Sequence, residues 1–211
     1  MIKITFLGTG TSQGIPVIGS DHPVSFSKDL KDKRLRSSIL IENENLHFTI
    51  DCGPDFRQQM LRANCKKLDG IVFTHEHADH TAGFDDIRPF FFRQGKIPIY
   101  AQKRVLQSLE KRFDYIISNE NKYPGAPSVQ INEISFNSSF NINQFEISSF
   151  NIEGANGRND SLFFIFELRI FFISFLLGSA IIDLFPNERC PISIRPENLP
   201  KIFPSVKCFT I

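Results

Sequence analysis

The sequence has no tryptophan, two methionines and only four cysteines among its 211 residues. Cys52, Cys65, Cys190 and Cys208 are scattered without a close pair. That spacing excludes a disulfide framework and fits a reducing, cytoplasmic setting. Charge of neither sign dominates: 24 Lys and Arg against 23 Asp and Glu leave a net charge of +1. Such a balance offers no electrostatic capture of nucleic acid. No run is apolar and long enough to be read as a membrane span. Ile170–Ile182 is uncharged, but it falls short of the ~20 apolar residues a span needs, and Glu167 and Arg169 interrupt it upstream. Met1–Phe6 is too short an apolar run for a signal peptide. No histidine follows His80. What is abundant is phenylalanine, 23 residues, enough with the other apolar residues to fill one sizeable core.

Three of the five histidines fall in one stretch, Thr74-His75-Glu76-His77-Ala78-Asp79-His80. Gly70-Ile71-Val72-Phe73 precedes it and reads as a short buried strand. Four potential ligands therefore sit where a strand ends and the chain turns. Imidazole nitrogen and carboxylate oxygen suit zinc and related ions. On an extended chain His75 and His77 point the same way and can grip one ion. Asp79 and His80 come after a turn and can reach a second. Two ions about 3.5–4 Å apart can steady both oxygens of a phosphoester displacement.

His75-Glu76-His77-Ala78-Asp79-His80 resembles the signature of the metallo-β-lactamase fold hydrolases. Phe6-Leu7-Gly8-Thr9-Gly10-Thr11-Ser12-Gln13-Gly14-Ile15-Pro16 and Ile50-Asp51-Cys52-Gly53-Pro54-Asp55 sharpen the likeness. Together they resemble the branch of phosphoribosyl cyclic phosphate phosphodiesterases, with tRNA 3′-processing endonucleases as more distant relatives. The resemblance implies an α/β fold, an αββα sandwich of two mixed sheets flanked by helices. It implies two zinc ions per site, with manganese an alternative because a carboxylate shares the site. It gives Asp51 a supporting role beside the ligands, where a carboxylate can orient an imidazole N–H. Asp51 or Asp55 could instead cap a helix over residues 56–64.

Other stretches are read from their pattern. Ile2–Leu7 alternates as a first strand, and Gly8–Ser12 is a tight turn packing against the metal loop rather than a phosphate loop. Relatives carry cysteines for a structural zinc near Ser20–Ser25. Here only His22 remains as a soft ligand, so no zinc is expected there. Lys28–Arg36 reads as solvated charge, and Cys52 as a packing residue. Ser38–Glu42 and Leu46–Ile50 form a hairpin. Ile87–Phe92 reads as core, and Lys103–Ile117 as one amphipathic helix. Residues 129–152 alternate with period two and read as antiparallel sheet.

The likeness holds over residues 1–157 and fails over 158–211. Asn156 stands where a histidine is expected, and Asp183 is a weak candidate for a later bridging aspartate. Three explanations are weighed for the tail: a frameshift near Arg158–Ser161, a membrane segment, which the shortness of Ile170–Ile182 disfavours, and divergence to a non-catalytic scaffold. The frameshift reading leaves the C-terminal half incomplete or abnormal. The implied activity is metal-dependent hydrolysis of a phosphodiester. His75 and His77 would hold one ion, Asp79 and His80 the other, and Asp79 would also hold the attacking hydroxide. With later ligands absent, weak metal binding and little turnover are expected of these 211 residues. The expected partner is a small phosphodiester rather than nucleic acid or a membrane, and a homodimer is compatible with the sequence. The rival classes are a degenerate binding protein and an RNA-processing nuclease.

Overall fold

A computed structural model of the chain describes residues 2–118, 120–143, 145–151 and 162–166. Strand β1 (Lys3–Gly8) leads through a long connection carrying the short helix α1 (Pro23–Phe26) into β2 (Ser38–Glu42). Then follow β3 (His47–Ile50), α2 (Phe56–Ala63), β4 (Gly70–Val72) and α3 (Ala78–Thr81). A 3₁₀ turn (Phe84–Ile87) runs into α4 (Arg88–Gln94), β5 (Ile97–Ala101), α5 (Lys103–Arg112) and α6 (Asp114–Ile117). The described chain closes with β6 (Val129–Glu133), β7 (Ser139–Ile142), β8 (Phe145–Asn151) and β9 (Leu162–Phe166).

The larger sheet has the order β1-β2-β3-β4-β5-β6, and the smaller one β7-β8-β9. The first two pairings of the large sheet are antiparallel and the other three parallel. Alternation along its strands sends side chains to two separate cores. Leu40 and Ile71 join Phe56, Met60, Phe73, Phe84 and Leu109 on the helical side. Their neighbours Ile39, Ile41 and Val72 join Ile134, Ile142 and Ile147 between the two sheets. Strands covered on both faces need continuous apolar runs, which is why Gly70–Phe73 shows no polar alternation. The expected α/β sandwich is what the described residues form, as helix, sheet and sheet. Residues 158–161 and 167–211 lie outside them, and with them Asp183 and the Ile170–Ile182 run; so does Asn156.

The predicted hairpin is present, with Ile39 opposite Ile50 and Glu42 opposite His47. Two expectations are corrected. The single helix over Lys103–Ile117 is two helices, broken at Phe113 (φ −134°, ψ 45°). The Phe113 ring packs edge-on against Phe84, and the Asp114 carboxylate accepts the Tyr115 N–H at 2.7 Å. A short acidic side chain bonding to nearby backbone competes with helix continuation. Residues 129–152 are also not one antiparallel unit. β6 pairs parallel with β5, because the intervening helices carry the chain back across the sheet. At the edge of the sheet among the described residues, β6 leaves Ile131 45% exposed. Only β7 and β8 of that stretch pair antiparallel.

Phe73 leaves β4 fully buried and stacks edge-on with Phe84 at 5.6 Å between centroids. Phe73→Ala should lower unfolding free energy by about 3–5 kcal/mol, read as a shifted urea midpoint.

Candidate metal centre

The parallel pair β3 and β4 ends with Ile50 level with Val72. The polar residues follow at once, outside the carboxyl ends of these strands, where open α/β sheets build their sites. Asp51 steps off β3 with φ 64°, a left-handed conformation that aspartate tolerates better than most residues. Its backbone N–H still donates to the Val72 carbonyl at 2.9 Å. The turn aims a fully buried carboxylate across at the chain leaving β4.

That carboxylate gathers the loop. Thr74 donates its N–H to Oδ1 at 2.9 Å, and its hydroxyl lies 2.8 Å from Oδ2. His80 Nδ1 lies 2.7 Å from Oδ2, so Asp51 accepts the Nδ1 proton and leaves Nε2 turned away from it. Nε2 of His80 faces Asp79 Oδ2 at 3.1 Å. The His75 ring centroid stands 4.1 Å from that of His80 and 4.6 Å from that of His77. The three imidazoles and Asp79 are thus brought together, His75 and His80 buried and His77 exposed.

The surroundings split the titration of these rings. Burial and the adjacent His80 hold His75 well below its ordinary value, at about 4. His80 also suffers from burial, but the charge and hydrogen bond of Asp51, backed by Asp79, outweigh it and raise its pKa. His75 is therefore a neutral donor, the form in which imidazole ligates metals. Cys52 is buried beside them, its thiol pushed up by burial and then by Asp86 and Asp51, which suits packing rather than nucleophilic chemistry.

The loop is held from outside as well. The Thr81 hydroxyl donates to the His77 carbonyl at 2.7 Å. From α5, Arg112 donates to the Glu76 carbonyl at 3.1 Å, and Arg104 faces the Glu76 carboxylate at 3.6 Å. Beneath it, Cys52 N–H donates to the His80 carbonyl at 2.8 Å and Gly83 N–H to the Cys52 carbonyl at 2.9 Å. A side chain on Gly53 would strike the Asp79 carbonyl, and one on Gly83 the Gly53 carbonyl. The sequence reading gave no role of their own to Thr74, Thr81, Gly53, Gly83, Arg104 and Arg112. Only the glycines carried a signal, as small residues flanking both halves of the site.

Other candidates are spent elsewhere. Asp55 stands at the N-terminus of α2 but makes no side-chain cap, and Asp51 caps no helix either. Instead the Asp55 carboxylate accepts the Arg36 backbone N–H at 2.8 Å and its guanidinium at 3.1 Å. His22 Nδ1 accepts the Val24 N–H at 3.2 Å and caps α1. The Gly8–Ser12 turn packs against residues 34–37: Gly10 donates to the Leu35 carbonyl at 2.8 Å. Of Ile87–Phe92, Ile87 and Phe90 are core while Phe92 is 63% exposed.

A family model described as the beta-lactamase superfamily domain matches residues 47–174, more than half of the chain and all of this loop. The chain belongs to the beta-lactamase superfamily. A solved diphosphatase of the PhnP family is 33% identical with a TM-score of 0.67, the match covering 79% of this chain and 62% of that one. An octanoyltransferase of Porphyromonas gingivalis is 40% identical over 134 residues, 63% of this chain and 27% of that protein. A ribonuclease Z of Bradyrhizobium diazoefficiens is 34% identical over 85 residues, 39% of this chain and 23% of that protein. The chain thus spans about a quarter of the length of these two curated relatives.

The donor chemistry fits a zinc-type ion: imidazoles with a carboxylate, one ring fixed by a buried acid. The set is partial. Among the described residues no three His, Cys, Asp or Glu side chains close into a cage for an ion. Nor is any described helix long and apolar enough to cross a membrane.

Gly83→Ala should force the two loops apart and cost about 1–3 kcal/mol, measured by urea denaturation.

Proposed function

We propose that the histidine cluster is the metal-holding half of a phosphoester hydrolase centre. The observation that carries this is Asp51, whose carboxylate holds His80 Nδ1 at 2.7 Å beside the gathered rings of His75 and His77. A buried acid that orients an imidazole in this way is the usual support of a metal ligand. The likeness to a diphosphatase at 33% identity supports phosphorus as the reacting centre.

In this reading His75 and His77 hold one ion, and Asp79 and His80 a second. Zinc, or manganese in its place, supplies a Lewis acid and an activated water. Asp51 fixes the ring plane of His80. Arg112 and Thr81 hold the backbone of Glu76 and His77, so the donors are set before substrate arrives. Asp79, with 21% of its side chain exposed, is an acceptor at the solvent edge of the cluster and orients the attacking water. The 211 residues contain no histidine beyond His80, so this chain has no further imidazole to complete the set. We therefore expect weak zinc binding and turnover close to background. A small phosphodiester is the preferred substrate. RNA is the second reading, favoured by the ribonuclease Z likeness and opposed by the net charge of +1.

The test is zinc competition against a chromogenic chelator, with bis(4-nitrophenyl) phosphate hydrolysis followed in parallel. Zinc binding should be measurable and lost in His77→Ala. Asp51→Asn, which keeps a residue tolerant of the left-handed turn, should weaken it about 10–100-fold. No binding in the wild-type chain would remove the metal reading. Phosphodiester turnover that His77→Ala abolishes would show the chain to be active and overturn the expected impairment. RNA binding with a steep salt slope would move the substrate to RNA.

A further inference from the structure

We propose that Thr74 is a positioning residue that extends the hold of Asp51 to His75, setting which nitrogen of that ring is free. The inference rests on the metal-centre reading for its purpose, but not for its geometry. The Thr74 hydroxyl lies 2.8 Å and 3.0 Å from the two Asp51 oxygens and 3.0 Å from His75 Nδ1. It has one proton to give. Asp51 already accepts the Thr74 N–H on Oδ1 and the His80 Nδ1 proton on Oδ2. A proton on the carboxyl itself would have to sit among donors already aimed at it.

The hydroxyl proton therefore goes to Asp51, since withholding it would set oxygen lone pairs against a carboxylate at hydrogen-bond distance. Thr74 Oγ1 is then an acceptor towards His75. The ring answers with its proton on Nδ1, leaving the Nε2 lone pair free. His80, held directly by the same carboxylate, likewise carries a proton on Nδ1, while its Nε2 faces the Asp79 carboxylate at 3.1 Å. One buried acid thus fixes two rings, one by contact and one through a hydroxyl, and both present Nε2. The hydrogen bond made by one ring nitrogen decides the state of the other, so a hydroxyl placed here decides His75. Thr74 is itself 1% exposed, so no solvent competes for the bond.

The test is long-range proton–nitrogen NMR on the metal-free, histidine-labelled chain. Wild type should show the Nδ1–H tautomer at His75. Thr74→Val keeps the shape and removes the hydroxyl, and should move His75 towards Nε2–H while leaving His80 unchanged. Thr74→Ser should restore the wild-type pattern. In zinc competition Thr74→Val should lose about 10–100-fold in affinity, and Thr74→Ser should stay near wild type. A His75 protonated on Nε2 in wild type would overturn the inference, and that spectrum decides even if Thr74→Val does not fold. So would a His75 tautomer or a zinc affinity that Thr74→Val leaves unmoved. The tautomers report on Thr74 without metal, whereas absence of zinc binding in wild type would count against the metal centre, so the two failures are distinguishable.

Discussion

A buried carboxylate is costly unless hydrogen bonds replace the water it has lost. Asp51 has no exposed surface, and its neighbours return that solvation through Thr74 and His80. Each of those bonds joins the end of β3 to the chain beyond β4. The charge therefore cannot be satisfied unless both strands end in register and the loop between β4 and α3 turns back. Around this one requirement the rest is arranged: the left-handed step at Asp51, the turn that brings His80 under it, and the buried strands that hold both ends still.

Much of this was legible in the chain. A short apolar run followed by clustered donors marks a strand delivering a site, and the β2–β3 hairpin and α2 follow from local pattern and turn residues. The supporting role of Asp51 was legible only through resemblance, since nothing local says which residue an aspartate will face. Other features were illegible for definite reasons. Period two shows that β6 is a strand but not which neighbour it joins, and the parallel pairing comes from the helices before it. The break at Phe113 depends on where its ring packs. Asp55 answers to Arg36, nineteen positions away in sequence, rather than to its own helix. Propensity speaks for the nearest turn, and these choices are made by tertiary contact.

Family and function part company at the edge of the described fold. The superfamily match covers the helical core, the strand ends and the histidine loop, which together form a self-consistent unit. The relatives named above differ in what they are called, from a diphosphatase to a ribonuclease to an octanoyltransferase, and two of them are far longer than this chain. A scaffold that places donors at strand ends leaves the choice of substrate to what surrounds it. In this chain the described surroundings of the loop include α5, with Arg104 and Arg112.

The interlock beneath the site reaches beyond positioning. Cys52 gives its N–H to His80 and its carbonyl to Gly83, while Gly53 and Gly83 admit no side chain between the strands they join. Neither loop can lift without breaking the other's backbone bonds. The two form a single opening unit, in which the amides of Cys52 and Gly83 must become exchangeable together. A centre built this way does not loosen donor by donor: it is either assembled or open, and its fluctuations are shared between segments thirty residues apart in the chain.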